Sequence, residues 1–324
     1  MRGLPSPSCR APSSARPLLV ATLAAPAPVV ERVRGFPTEV IRTGEGALRL
    51  VFVPGNPGVA SFYASTAQAL ADKLGARAAV VGYRGHSVAP LLPPTAAFGL
   101  AEQVEHITSF IEAELATGDE VVVIGHSIGA WIALEAVRRA ETLRRVAAFI
   151  GLMPYLQTET EQARKVSALI TQWWARPLFW LIAAFGQLIG WLPTARWRRA
   201  GMELLEPDLR NYEAEQAAVA VACMLRFGTL YNVLTLFRAE AFSHATPYDY
   251  TRWEGLCDKR AAFLFAGDFD QWAPPEAAAR AAAAGLSVHT EPGVPHAFGT
   301  RAATRAAVVA WIAQAVPKLR ARRG

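Results

Sequence analysis

One stretch limits the folds open to this chain more than any other: residues 120–137, EVVVIGHSIGAWIALEAV. Four β-branched residues, Val121, Val122, Val123 and Ile124, run straight into Gly125-His126-Ser127-Ile128-Gly129, and an apolar run suited to a helix follows. Strand, abrupt turn and helix put Ser127 at an apex. Such a turn strains the serine backbone, and glycines flank it because a Cβ there would collide with the adjoining strand or helix. The helix that starts next points unpaired N–H groups and the positive end of its dipole toward charge forming at the hydroxyl. The pentapeptide alone is weak evidence; the strand before it and the helix after it make Ser127 a candidate nucleophile.

The elements around the turn alternate. A short β-like run begins at Thr38, and residues 48–53 read as a buried strand ending in Pro54-Gly55-Asn56-Pro57-Gly58, a loop punctuated for a tight turn. Residues 61–74 read as a helix and 78–82 as the next strand. Tyr83 opens a loop that lasts through Pro93-Pro94, and Leu100, Val104, Ile107 and Ile111 mark a helix by their spacing. A strand at 146–152 follows the turn. From Pro154 to about Arg260 the alternation stops, and the segment reads as mainly helical, with six of the nine tryptophans. It resumes with a strand at 261–266, an Ala-rich helix at 277–284, a last strand at 286–290 and a closing helix at 302–316. Alternation of this kind implies a doubly wound, mostly parallel sheet that binds ligands at the carboxyl ends of its strands. The expectation is one α/β domain over residues 35–324, capped by a helical insertion at about 154–260 and preceded by a disordered tail at 1–34.

Composition narrows the function classes. A chain of 324 residues holds one α/β domain with a long insertion, or two small ones. Hydrophobic residues make up 52% against 19% charged, with mean hydropathy +0.19, which argues against a disordered chain and means that something beyond a core consumes apolar surface. The net charge of +6 is spread through scattered arginines, with no RNP, zinc-finger or helix-turn-helix signature, so no nucleic-acid partner is predicted. Cys9, Cys223 and Cys257 are odd in number and far apart, which suits a reducing compartment and supports neither a disulfide frame nor a zinc site. Residues 1–30 hold no acid and carry Arg2, Arg10 and Arg16: an organelle transit sequence or a disordered tail. Pro17, Pro26 and Pro28 break up its apolar run, so it does not read as an ordinary secretory signal.

A serine needs a base within hydrogen-bond reach and a third group to orient that base. In α/β-hydrolases the chain order is Ser, then Asp or Glu, then His, the last two on loops after later strands. Asp270 follows the strand at 261–266, and His296 follows the last strand. Asp268 competes with Asp270 but also suits a turn that ends the strand. Among the other histidines, His289 reads as a surface or core strand residue, His244 has no strand to position it, and His126 is expected to point away from Ser127. His86 either lines the site or is satisfied by backbone, and His106 reads as solvated. The oxyanion donors expected are the N–H of Ile128, which directly follows the nucleophile, and that of Asn56, with Gly58 as the alternative; Pro57 has no N–H. There is no H-E-x-x-H and no carboxylate cluster, so neither metal nor cofactor is predicted.

Four motifs together carry a resemblance: Pro54 to Gly58 followed by Phe62-Tyr63, the Gly-His-Ser-Ile-Gly turn, residues 267–274 with their Asp and Trp, and Pro295-His296-Ala297-Phe298. From about Gly35 to the C-terminus the chain resembles the lipid droplet-associated hydrolase family. That resemblance implies an α/β-hydrolase fold, attachment to lipid droplets and endoplasmic reticulum, and neutral lipid or sterol esters as substrates. It also carries nucleophile, acid and base onto Ser127, Asp270 and His296. The Arg- and Ala-rich tail departs from the family, leaving a plastid or mitochondrion as the other location.

No charged residue lies between Arg176 and Arg196. From Leu178 to Leu192 a helix would be apolar all round and about 22 Å long, short of a hydrocarbon core of about 30 Å. Two readings stand: a buried cap helix, or a segment embedded in a droplet monolayer or one membrane leaflet, with tryptophans and arginines at the headgroup level. The function expected is a serine esterase or lipase on lipid esters. Acyl transfer on the same triad and a weakly active droplet-surface protein are the alternatives.

Overall fold

The computed structural model describes residues 25–138, 145–253, 260–267 and 270–321. Eight strands form one sheet: β1 (Val29–Val33), β2 (Phe36–Thr43), β3 (Leu48–Val53), β4 (Arg77–Val81), β5 (Glu120–His126), β6 (Val146–Leu152), β7 (Ala261–Ala266) and β8 (Ser287–Glu291). Their spatial order is β1-β2-β4-β3-β5-β6-β7-β8. The pairs β1–β2 and β2–β4 are antiparallel, and all the others are parallel. Every residue of β6 and β7 is buried, which is why both read as continuous apolar runs without alternation.

Helices cover both sheet faces. On one side α1 (Ala64–Leu74) packs against α10 (Ala302–Ala321), and α2 (Leu100–Leu115) packs against α3 (Ile128–Val137). The closing helix runs past the expected end at 316 and through Pro317, because Val316 and Leu319 are anchored in the core and Arg320 pairs with Glu120. At the other end the sheet starts earlier than expected. Residues 1–24 of the presumed tail lie outside the described residues, but Val29–Val33 forms β1, with Val29 opposite Val40 and Val33 opposite Phe36. Three of these five residues are exposed, so no buried alternation announced the strand.

Between β6 and β7 the described residues form helices: α4 (Glu161–Ile170), α5 (Ala175–Gly190), α6 (Ala195–Leu205), α7 (Ala214–Met224) and α8 (Phe227–Ser243), with two short 3-10 turns. This segment has hydrophobic clusters of its own, one built on Ile189, Met202, Leu209 and Leu225 and another on Ile170, Phe179 and Ala241. Gly186 and Gly190 bring α5 close to its neighbours; a Cβ on Gly190 would sit 2.5 Å from the Leu225 carbonyl oxygen. Helix α9 (Pro275–Ala283) lies between β7 and β8.

The carboxyl ends of β3 and β5 lie side by side, Val53 opposite Gly125. The Pro54–Gly58 loop therefore rests against the turn at Ser127. Contact is so close that a Cβ on Gly129 would lie 2.2 Å from the Pro54 carbonyl oxygen and 2.5 Å from that of Val53. Both are backbone atoms, unable to swing aside. Gly129→Ala is expected to cost about 3 kcal/mol through forced backbone movement, read as a lower urea midpoint by circular dichroism; an unchanged midpoint would show that the two loops do not press together.

Candidate active site

Ser127 sits between β5 and α3 at φ 53°, ψ −127°, a conformation disfavoured for any residue with a Cβ. Hydrogen bonds to later chain hold it there: its N–H donates to the Leu152 carbonyl at 2.9 Å, and its carbonyl accepts from Tyr155 N–H at 3.2 Å. Ser127 Oγ lies 2.8 Å from His296 Nε2, and His296 Nδ1 lies 2.6 Å from Asp270 Oδ2. The fold thus brings together three residues from loops after β5, β7 and β8. Asp268 falls outside the described residues.

Asp270 is buried, and its other oxygen accepts from the N–H groups of Trp272 at 2.8 Å and Ala273 at 3.1 Å. Burial opposes its ionisation, but the His296 hydrogen bond and charge and these two N–H groups outweigh it, holding the carboxyl below its ordinary range. An ionised Asp270 accepts a hydrogen bond from His296 Nδ1–H, which leaves Nε2 free to accept from the Ser127 hydroxyl.

Neither Asn56 N–H nor Ile128 N–H finds an acceptor among the described residues, and both residues lie beside Ser127. Gly58 N–H, the alternative, is used up in the turn, donating to the Gly55 carbonyl at 2.7 Å. The Asn56–Pro57 peptide is cis. Tyr83 O–H donates to the Pro54 carbonyl, and His86 Nδ1–H donates to the Pro57 carbonyl at 2.6 Å, so this loop is fixed from below.

Two histidines depart from the sequence reading. His126 does not merely point away: its Nε2–H donates to the His296 carbonyl at 2.9 Å, and its Nδ1 accepts from Tyr63 O–H at 2.7 Å. Tyr63 Oη in turn accepts from Gly55 N–H at 3.0 Å. One buried line of hydrogen bonds therefore ties the Pro54–Gly58 loop to the loop carrying His296. The Phe62-Tyr63 pair is its only trace in the sequence. His106 is not solvated; it is wholly buried against Thr38, 3.3 Å away, because β2 lies across the face of α2 that carries it. His244 is buried and stacked on Tyr155, His289 is exposed beside Glu291, and His86 takes the backbone-satisfied outcome.

A cavity of about 430 Å³ opens over Ser127 and His296, walled by the Asn56 loop and by α6, α7 and α8. A larger groove of about 1100 Å³ runs along α4 and α9, but none of Ser127, Asp270 and His296 lines it, whereas Ser127 and His296 line the smaller space. Among the described residues no group of His, Cys, Asp and Glu has the arrangement of a metal site.

Sheet order, a strained serine after the fifth strand and a helical segment before the seventh define the α/β-hydrolase class. Solved structures agree on the fold. The chain superposes on a soluble variant of monoglyceride lipase from Saccharomyces cerevisiae with TM-score 0.60 at 13% identity, covering 94% of this chain and 99% of that one. It superposes on a variant of potato epoxide hydrolase, also at 0.60, with 17% identity over 90% and 99% of the two chains. Residues 46–299 match the family described as lipid-droplet associated hydrolase, and the chain belongs to that family. Relatives of that name include a human protein, 30% identical over 129 residues, and one from Gallus gallus, 32% identical over 138 residues. These matches cover 35% and 38% of this chain, which spans only 39% and 42% of the relatives' lengths.

Burial gives the histidines a measurable consequence. It lowers the pKa of His86, His106 and His244 to about 4 and that of His126 to about 3. Below the unfolded value of about 6.5 the unfolded chain binds protons that the native state refuses, so stability falls as pH falls, until the folded pKa is reached. At about 1.4 kcal/mol per histidine per pH unit, the four together remove roughly 5 kcal/mol for each full unit below pH 6. Urea midpoints are expected to drop steeply between pH 6.5 and 5; a flat profile would mean that these rings carry charge inside the fold.

Proposed function

We propose that this chain is a serine ester hydrolase acting on lipid esters by an acyl-enzyme mechanism. The observation that carries the reading is the continuous line from Ser127 Oγ through His296 to Asp270, at 2.8 and 2.6 Å. Ser127 attacks the ester carbonyl while His296 Nε2 takes its proton. Asp270, kept ionised by its hydrogen bonds, steadies the imidazolium. Ile128 and Asn56 N–H groups receive the oxyanion, and their lack of other acceptors leaves them ready for it. His296 then returns its proton to the departing alcohol; water next attacks the acyl carbonyl while giving a proton to His296, and Ser127 leaves by taking that proton back. The three side chains supply nucleophile, base and orienting charge without a metal. A fluorophosphonate is expected to label the wild-type protein but not Ser127→Ala, which should lose on the order of 10⁶ in kcat toward a lipid ester. A folded wild-type protein that resists the probe would remove the reading.

The same proposal places the protein at the surface of a lipid droplet or of the endoplasmic reticulum. Among the described residues no single helix is long and apolar enough to cross a membrane. Helix α5 instead has two apolar faces with different fates. Phe179, Ala183, Gly186 and Ile189 are buried in the helical segment, whereas Leu178, Trp180, Leu181, Phe185 and Leu188 are 41–59% exposed. Trp191 and Trp197 continue the exposed face, at 70% and 56%. An apolar face this broad is costly to leave in water and suits insertion to headgroup depth, with Arg196, Arg198 and Arg199 beside it. Because Ile189 belongs to the buried face, the informative variant replaces Leu181, Phe185 and Leu188 by Ser. It is expected to fold and to leave the floating droplet fraction for the soluble one; unchanged flotation would sink the surface assignment.

A further inference from the structure

The cavity over Ser127 has a mainly apolar wall, with Phe62, Met202, Ala220, Met224, Val233 and Phe237 among its residues. Among the polar side chains set into it, Gln216 and Glu240 are buried and take no part in the line from Ser127 to Asp270. Gln216, on α7, is 1% exposed, yet neither its amide nitrogen nor its amide oxygen has a partner among the described residues. Glu240, on α8, is 4% exposed; its Oε1 accepts from Asn56 Nδ2 at 3.2 Å, while Oε2 has no partner among the described residues. Asn56 Nδ2 also donates to the Val233 carbonyl at 3.2 Å, which fixes the way that amide faces and leaves its Oδ1 buried and unpaired.

Buried polar atoms without partners are uncommon and destabilising, and Leu would fill the place of Gln216 with no such cost. Their persistence in one cavity points to a ligand that brings the missing partners. The chemistry of that ligand can be read from what the two side chains offer. Burial raises the Glu240 carboxyl to about 8, against the opposing hydrogen bond from Asn56, so it is mostly neutral at pH 7. With Oε1 accepting from Asn56, the proton rests on Oε2 and is available to donate. Gln216 offers both a donor and an acceptor. A hydroxyl, which donates once and accepts twice, is the small group that complements this set. In a lipid ester bound for attack, the carbonyl is occupied at Ser127 and the acyl chain is hydrocarbon. A free hydroxyl therefore belongs to the alcohol half.

We propose that Gln216 and Glu240 form a hydrogen-bonding subsite for a free hydroxyl on the alcohol half of the substrate. The site then takes hydroxyl-bearing esters such as partial glycerides in preference to esters of wholly apolar alcohols. This deepens the ester-hydrolase reading and rests on it for the identity of the alcohol half. Discrimination has the form expected of a site whose polar groups stay unpaired with the wrong ligand, and the cavity volume suits one chain with a small headgroup.

The test uses full-length Ser127→Ala protein and two uncleavable ethers of equal chain length, hexadecylglycerol and hexadecyl methyl ether, compared by titration calorimetry. The glycerol ether is expected to bind about 10- to 100-fold more tightly. Adding Gln216→Leu should cut that ratio about tenfold and, without ligand, raise the Tm, because an unpaired amide is removed. Glu240→Leu should also collapse the ratio, while Glu240→Gln, which keeps a donor and an acceptor, retains most of it. Equal affinities for the two ethers in the Ser127→Ala protein, as when bound water already satisfies Gln216, overturn the proposal. So does an unchanged ratio in folded Gln216→Leu, or a fall in its Tm, which would mark the amide as a packing element. Since no bond is cleaved, this outcome is independent of fluorophosphonate labelling, and failure of the chemistry is distinguishable from failure of the subsite.

Discussion

Everything at the carboxyl end of this sheet depends on one buried line of hydrogen bonds running from Gly55 N–H through Tyr63 and His126 to the His296 carbonyl. It joins three loops, and its His126–His296 bond alone spans 170 residues. Gly55 lies in the loop that presents Asn56, His126 in the turn that presents Ser127, and His296 in the loop after β8. The line works only while His126 is neutral, one ring nitrogen accepting and the other donating, and burial keeps it so. Charge on that ring would turn Nδ1 into a donor facing the Tyr63 hydroxyl, whose own proton would have to turn away. A group outside the line from Ser127 to Asp270 thereby sets where those three side chains stand.

The helical segment between β6 and β7 serves the site in two ways. It closes the cavity with side chains from α6, α7 and α8, and through Glu240 and the Val233 carbonyl it grips the Asn56 side chain. Its outer surface is the exposed face of α5 with its tryptophans. On the proposed function, an exposed apolar exterior and a partly polar interior within one segment suit an enzyme that draws an amphiphile from a surface and orients it by its headgroup. The high apolar content of the chain is thus divided between a sheet buried on both faces and this outward-facing helix.

Much of the architecture was legible because the relevant forces are local. The β-branched run before Gly125 read as a buried strand, and the placing of Ser127, Asp270 and His296 on loops after strands followed from the alternation together with the chain order of α/β-hydrolases. The doubly wound sheet was anticipated for the same reason, and solved structures share it. The misreadings share a different cause. His106 looked solvated because a helix position says nothing of what lies across it, and here β2 does. β1 was passed over because an edge strand with exposed side chains carries no pattern. The helix from Leu178 to Leu192 read as apolar all round, with no sign that Ile189 turns inward to Met202 and Leu209.

By itself the sequence determined the alternation of strands and helices, the strained turn at Ser127 and the apolar character of the middle segment, because each follows from residue spacing, steric demand or composition within a short window. Tertiary structure alone decided which face of α5 turns outward, that Gly58 N–H is spent while Asn56 N–H is not, and that Gln216 and Glu240 meet in one cavity. Those outcomes depend on distances between groups far apart along the chain. A hydrogen bond or a buried contact is won or lost over a few tenths of an ångström, a scale that no order of residues encodes until the chain has closed on itself.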